Sequence, residues 1–269
     1  MSAVRLLISE GGVSFIHGGD RDRIGGFETA ELELLFEVIV GDETVALREV
    51  GFEKHNLDFC CKGKRTLADA CKSENIDLEK IISDLEKIST DENGTEKPNF
   101  EKLSPVALVD HILQKHHTFV KYMMPVLNEH LQKVSNKHGE RHTVLSQIAA
   151  LFEELKSELT QHMAKEENIL FPYIKRMEHL KKENIFQAMG FVENPIRVMM
   201  HEHEQAGEIM RKINQLTNHY VPPADACTTY RLCFSELEEF ERDLHQHVHL
   251  ENNILFPKAV DLENSLAGI

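Results

Sequence analysis

Apolar residues recur at steps of three and four along four long stretches of the chain, a pattern that predicts four helices. The first runs from Pro105 to about residue 134, the second from about 143 to 177, the third from Pro195 to about 217, and the fourth from Cys227 to about 260. Ser104-Pro105 reads as an N-cap followed by proline at the first helical position. The polar break KHGERH separates the first two helices, and HYVPPADAC separates the last two. Connections this short favour antiparallel neighbours, so an up-down-up-down four-helix bundle is the simplest packing.

The apolar rows are interrupted by ionisable residues, and the interruptions repeat. HMAKEENILFP at 162–172 and HVHLENNILFP at 247–257 share the pattern His-x3-Glu-x-Asn-Ile-Leu-Phe-Pro at a spacing of 85 residues. Residues four apart lie on one helix face, so His162 with Glu166 and His247 with Glu251 each present an imidazole beside a carboxylate. Both pairs fall on inward rows: Leu155, Leu159, His162, Glu166, Ile169 on the second helix, and Phe240, Leu244, His247, Glu251, Ile254 on the fourth. A carboxylate on such a row is costly unless paired, hydrogen-bonded or metal-bound. Neither row holds a Lys or Arg that would neutralise it.

The other two helices supply partners. Met199, His203, Ala206, Met210 and Ile213 form a row, whereas His201 shares a face with Arg197, Glu204 and Glu208 and reads as solvated. On the first helix two rows compete, one through Leu113, His117, Val120, Met124 and Leu127, the other through Ile112, His116, Phe119 and Met123. Superposing the halves on their His-x3-Glu motifs places His117 opposite His203, with separations to the motif of 45 and 44 residues. His117 is therefore preferred, and His116 is read as a core or supporting histidine. Four His and two Glu in pseudo-twofold arrangement suit iron or manganese, with zinc as a further candidate, and no cysteine lies on the inward rows. Glu167, His201 and Glu202 flank these residues, either as hydrogen-bonding partners or as a solvated face. His111, His130, His138, His142, His179, His219, His245 and His249 are read as surface or supporting residues. Pro172 and Pro257 are expected to kink their helices or end their regular runs.

Upstream of the bundle the organisation changes. Residues 1–40 form an extension with paired glycines, for which an arm or an extra hairpin is expected. Residues 41–88 read as a small helical domain, in which Cys60-Cys61 sits at a turn opening a helix near Lys62, Lys64 and Arg65. Such surroundings favour thiolate, although two small apolar residues in a mini-core would look the same. Residues 89–103 are polar, with Gly94 and Pro98, and read as a linker to the bundle at 104–269.

Charge and cysteine usage narrow the function classes. A net charge of −15 argues against nucleic acid and against an anionic membrane as partners. No stretch has the roughly eighteen apolar residues of a membrane span, and no secretory leader is evident. Five cysteines are an odd number and do not make a disulfide framework, which fits a reducing cytoplasm.

The motifs together resemble the di-iron proteins that repair iron–sulfur centres, the RIC family. LDFCCKGKRTL in the small domain and HMAKEENILFP, HEHEQAG, VPPADACTTYR and HVHLENNILFP in the bundle carry the resemblance, which spans about residue 41 to the end. It implies an all-α fold, a hemerythrin-like four-helix bundle preceded by the small helical domain. It further implies two non-haem irons, oxo- and carboxylate-bridged, with His117, His162, His203 and His247 as ligands and Glu166 and Glu251 as bridges. The family's cysteine pair falls on Cys60 and Cys61, with a thiol role in the chemistry. The family usually has two glycines after that pair, and here Lys62 replaces the first. The implied function is repair of iron–sulfur clusters damaged by nitrosative or oxidative stress, by supplying iron to client iron–sulfur proteins. Reduction of nitric oxide at the two irons is the alternative, as is a non-catalytic sensor or carrier of O2, NO or iron, so whether the protein is an enzyme stays open. The resemblance is compatible with a homodimer.

Overall fold

The computed structural model describes residues 5–9, 12–16, 71–72, 76–77, 80–81, 100–182 and 192–268. They fall into two units, the described residues up to 81 in one and those from 100 onward in the other. In the first, β1 (Arg5–Ser9) and β2 (Gly12–Ile16) pair antiparallel, with Arg5 opposite Ile16 and Ser9 opposite Gly12. Of the arm and the hairpin expected within residues 1–40, an antiparallel strand pair is seen, and the other elements among the described residues are helical. Cys60 and Cys61 lie outside the described residues.

The second unit is a four-helix bundle whose rods are longer than the sequence pattern predicts. The first rod joins α1 (Pro105–Ile112), a π-helical turn Leu113–His117 and α2 (Thr118–His138). The second joins α3 (Val144–Lys165), a π-helical turn Glu166–Leu170 and α4 (Phe171–Lys182). The third is α5 (Glu193–Leu216) alone. The fourth joins α6 (Thr228–His249), a π-helical turn Leu250–Leu255 and α7 (Phe256–Ala267). Ser104 caps α1 by accepting from the Ala107 N–H at 3.3 Å, as its sequence position predicts. Around the bundle α2 packs on α3 and α6, and α5 packs on α3 and α6.

The prolines do not end their helices. Ahead of Pro172 the Phe171 N–H reaches back five residues to the Glu166 carbonyl, and ahead of Pro257 the Phe256 N–H does the same to Glu251. A regular helix would drive each proline ring into the carbonyl four residues back, and the wider π-turn relieves that clash. The extra residue also shifts the helical frame. Ile169, expected to face inward, is 63% exposed, and Leu170 takes the buried position in its place. On the first rod the π-turn lets both competing rows point inward, so His116 and His117 are both buried.

The core comes in two parts with a polar belt between them. One part holds Val120, Phe152, Leu159, Met163, Ala206, Phe240 and Val248, the other Ile112, Leu170, Phe171, Met199, Ile254 and Phe256. Along every rod the change from one part to the other falls at the ionisable residues: between Ile112 and Val120, Met163 and Leu170, Met199 and Ala206, Val248 and Ile254. Phe152 is fully buried and packs edge-on against Phe240 with ring centroids 5.5 Å apart. Phe152→Ala is expected to destabilise the bundle by about 3–5 kcal/mol, measured by urea unfolding.

Cysteine placement gives a second expectation. Cys233 is fully buried, and burial pushes its thiol up to about 12, with the nearby Glu236 charge adding to the effect. Cys227 is only half-buried, with its Sγ 3.2 Å from His138 Nε2. At pH 8 a thiol reagent should modify Cys227 in the folded protein and leave Cys233 untouched until unfolding, as peptide mass mapping would show. His138, read as a surface or supporting residue, is buried, with this contact and its packing on Tyr230 around it.

Candidate metal centre

The belt gathers six ionisable side chains from four rods. His117 ends the first π-turn, Glu166 begins the second, Glu251 lies within the third, and His162, His203 and His247 come from regular α-helix. All six are 3% exposed or less, and both carboxylates are completely buried. Two groups of four donors form, each within 4.8 Å: His117, Glu166, His247 and Glu251, and His162, Glu166, His203 and Glu251. Both glutamates belong to both groups. His116, the rival of His117, belongs to neither.

The distances follow the pseudo-twofold. His117 Nε2 lies 3.3 Å from Glu166 Oε2, and His162 Nε2 lies 3.4 Å from the same oxygen. His247 Nε2 is 3.1 Å from Glu251 Oε1, and His203 Nε2 is 3.1 Å from Glu251 Oε2. The paired imidazoles of each group, His117 with His247 and His162 with His203, both meet at an interplanar angle of 64°. His162 and His203 bring their Nε2 atoms to 2.9 Å. Donors bound at about 2.1 Å to one ion stand about 3.0 Å apart at octahedral edges and about 3.4 Å at tetrahedral ones, the range seen here.

The electrostatics also ask for a cation. Among the described residues no Lys or Arg pairs with Glu166 or Glu251, whose salt-bridging neighbours are all histidines. Both Glu166 oxygens, Glu251 Oε2 and His117 Nε2 are buried without a hydrogen-bond partner. Unsatisfied buried groups of this kind are rare and costly, and four in one pocket fit a bound cation. Without one, protons substitute. Burial opposes charge on His203, but the Glu251 carboxylate 3.1 Å from its Nε2 and the charge of Glu166 outweigh it and raise the imidazole to about 9. His117 is raised in the same manner by Glu166 and Glu251. His162 goes the other way, lowered by burial and by the His203 charge against the opposing pull of Glu166. Glu251 sits well below the usual carboxylate range: burial alone would raise it, and the charges of His247 and His203 win.

Behind the Nε2 donors, three of the four Nδ1 atoms are held from outside. His117 Nδ1 meets Glu167 Oε1 at 2.7 Å, and His162 Nδ1 meets Glu202 Oε2 at 3.0 Å. Each of these glutamates is in turn paired with a lysine at the surface, Lys121 and Lys165 respectively. His203 Nδ1 meets Asn252 Oδ1 at 2.9 Å. The choice the sequence left open for Glu167 and Glu202 is thereby decided in favour of hydrogen bonding, and His201 is exposed. Asn252 was not singled out, although it stands 85 residues after Glu167, at the equivalent place in the repeat. Asp243 was also missed. It accepts from His116 Nδ1 at 3.0 Å and lies four residues before His247, a spacing that carried no signal.

Comparison with known proteins agrees with the geometry. The family model of the hemerythrin HHE cation binding domain matches residues 107–259, and that of a domain of unknown function, DUF542, matches residues 48–89. A probable iron-sulfur cluster repair protein of Haemophilus influenzae is 38% identical over 213 residues, covering 78% of this chain and 90% of that protein. The iron-sulfur cluster repair protein YtfE of Yersinia pseudotuberculosis is 37% identical over 210 residues, covering 78% of this chain and 89% of its own. Among the described residues no helix is long and apolar enough to cross a membrane. A hemerythrin-like bundle with two His/Glu clusters, matched over most of its length by these relatives, makes the chain a member of the iron–sulfur cluster repair family.

Proposed function

We propose that the belt holds two iron ions, His117 and His247 on one, His162 and His203 on the other, with Glu166 and Glu251 bridging both. The observation that carries this reading is the sharing of two fully buried, otherwise uncompensated carboxylates between two clusters. Nitrogen and carboxylate donors without thiolate suit iron at both positions. When bound, the pair supplies exchangeable ferrous iron with coordination positions left open by the four protein donors on each side. The protein's own part is to hold the imidazoles through Nδ1, to keep the donors dry between two apolar cores, and to neutralise the ions with two carboxylates.

Delivered iron would restore iron–sulfur proteins damaged by nitric oxide or peroxide, in a cytoplasm that keeps Cys227 and Cys233 as thiols. Residues 41–88 form the partner module in this scheme, with Cys60 and Cys61 receiving iron or electrons. The deciding experiment adds iron-loaded protein to a cluster enzyme inactivated by nitric oxide. Activity should return with loaded protein and fail with a metal-free sample or with His117→Ala. Equal recovery with free ferrous iron at the same concentration would sink the donor role. Two adjacent ion pockets also fit reduction of two nitric oxide molecules, and catalytic nitrous oxide formation in the same mixture would favour that reading instead.

A further inference from the structure

We infer that the two pockets are inequivalent and that the His117–His247 pocket is the one that exchanges its ion readily; this rests on the two-metal reading above. The donors obey the repeat, but the residues behind them do not. Glu167 and Asn252 occupy equivalent positions, each directly after a shared glutamate, and hold His117 and His203 respectively. Glu202 and His116 also occupy equivalent positions, each directly before a donor histidine of the third or first rod. Glu202 reaches across and holds His162 through Nδ1. His116 has no carboxylate to offer His247. Its ring instead lies parallel to that of His247, at a centroid distance of 5.6 Å and an angle of 8°, with its own Nδ1 tied to Asp243.

His247 Nδ1 is accordingly buried with no hydrogen-bond partner among the described residues. In the His162–His203 pocket both imidazoles are fixed through Nδ1. In the His117–His247 pocket only His117 is. A bond at Nδ1 sets the tautomer, locks ring rotation and makes Nε2 a better donor, and losing one such bond typically weakens metal binding about 10–100-fold. A stacked neighbour keeps the ring plane but supplies none of that electronic support. His116 is thus a positioning residue for His247 and a weaker one than Glu202 is for His162. For a protein that gives iron away, the asymmetry leaves one ion to deliver and a second that keeps the belt assembled.

The full chain is loaded anaerobically with ferrous iron and mixed with excess ferrous chelator, and release is followed by absorbance. Two phases of equal amplitude are expected, with rates differing about tenfold or more. Asn252→Ala leaves His203 in the condition of His247, so the slow phase should quicken by about tenfold while the fast phase stays put. Glu202→Gln tests the slow phase a second time, should Asn252→Ala fail to fold by circular dichroism. Glu167→Gln should quicken the fast phase alone, which assigns that phase to the His117 pocket. A single phase from protein holding two irons overturns the inference, as does an Asn252 or Glu202 variant that alters only the fast phase. Protein that takes up fewer than two irons per chain would instead defeat the two-metal reading.

Discussion

Glu166→Gln protein should fail to hold either ion tightly, whereas His117→Ala and His162→Ala should each lose one. The difference follows from membership: Glu166 contributes to both donor groups, and each histidine contributes to one. Glutamine keeps the size of the side chain and removes the charge, leaving the imidazoles to bind a divalent cation without its nearest counter-ion. An affinity loss of at least about 100-fold at both sites is expected, larger than that from an outer hydrogen-bond partner. Equilibrium dialysis with elemental analysis gives the stoichiometry directly, and two tightly held ions in Glu166→Gln protein would refute the bridging assignment. The metal-free proteins should behave in the opposite sense. Replacing a buried ionic group by a packed apolar one is often neutral or stabilising by about 1–4 kcal/mol. Metal-free Glu166→Met protein is therefore expected to melt no lower than the metal-free parent.

Stripping the metal from the unaltered protein should cost a large share of its thermal stability. A ligand present at about a thousand times its dissociation constant contributes about 4 kcal/mol per site. For a domain of about 150–250 residues each kcal/mol is worth about 2–4 °C. One occupied site thus accounts for about 8–16 °C of melting temperature, and two sites for more. Calorimetry of loaded and chelator-treated samples at matched ionic strength measures the gap. Coincident melting curves would mean that the buried carboxylates are satisfied without a cation.

Much of the architecture and all six candidate donors were legible in the sequence, because hydrophobic periodicity and internal repetition report directly on what faces inward. The row Leu155, Leu159, His162, Glu166 needed only the spacing of a regular helix. That assumption failed three residues later, at Ile169, where the backbone adopts a wider turn. The same limit explains why His116 and His117 looked like alternatives: on a regular helix one of them turns away, and a π-turn buries both. Proline was read as a kink or the end of a regular run, and the regular α-helix does give way to a π-turn ahead of Pro172 and Pro257, with the rod continuing beyond. The outer partners split along another line. Glu167 and Glu202 flank donors in sequence, and Asn252 could have been found by applying the repeat to Glu167. Asp243 acts on His116 across 127 residues, a contact that only the packing of α6 against the first rod creates.

The polar belt between two apolar cores has a consequence for how the molecule comes apart. Each rod crosses the belt once, so the two cores are joined by four backbone crossings and by whatever holds the donors together. Three of those crossings are π-turns, where helical hydrogen bonding is weakest. With cations bound, the six donors should couple the halves, so that amide protons on both sides are expected to exchange through one opening event. Without them the halves should become separate cooperative units, with the part built from α1, α4 and α7 expected to open first, because it rests on helices of 8, 12 and 12 residues. Bound ions would then serve as the rivets of a single folding unit, and release of one would be a partial loosening of the fold itself.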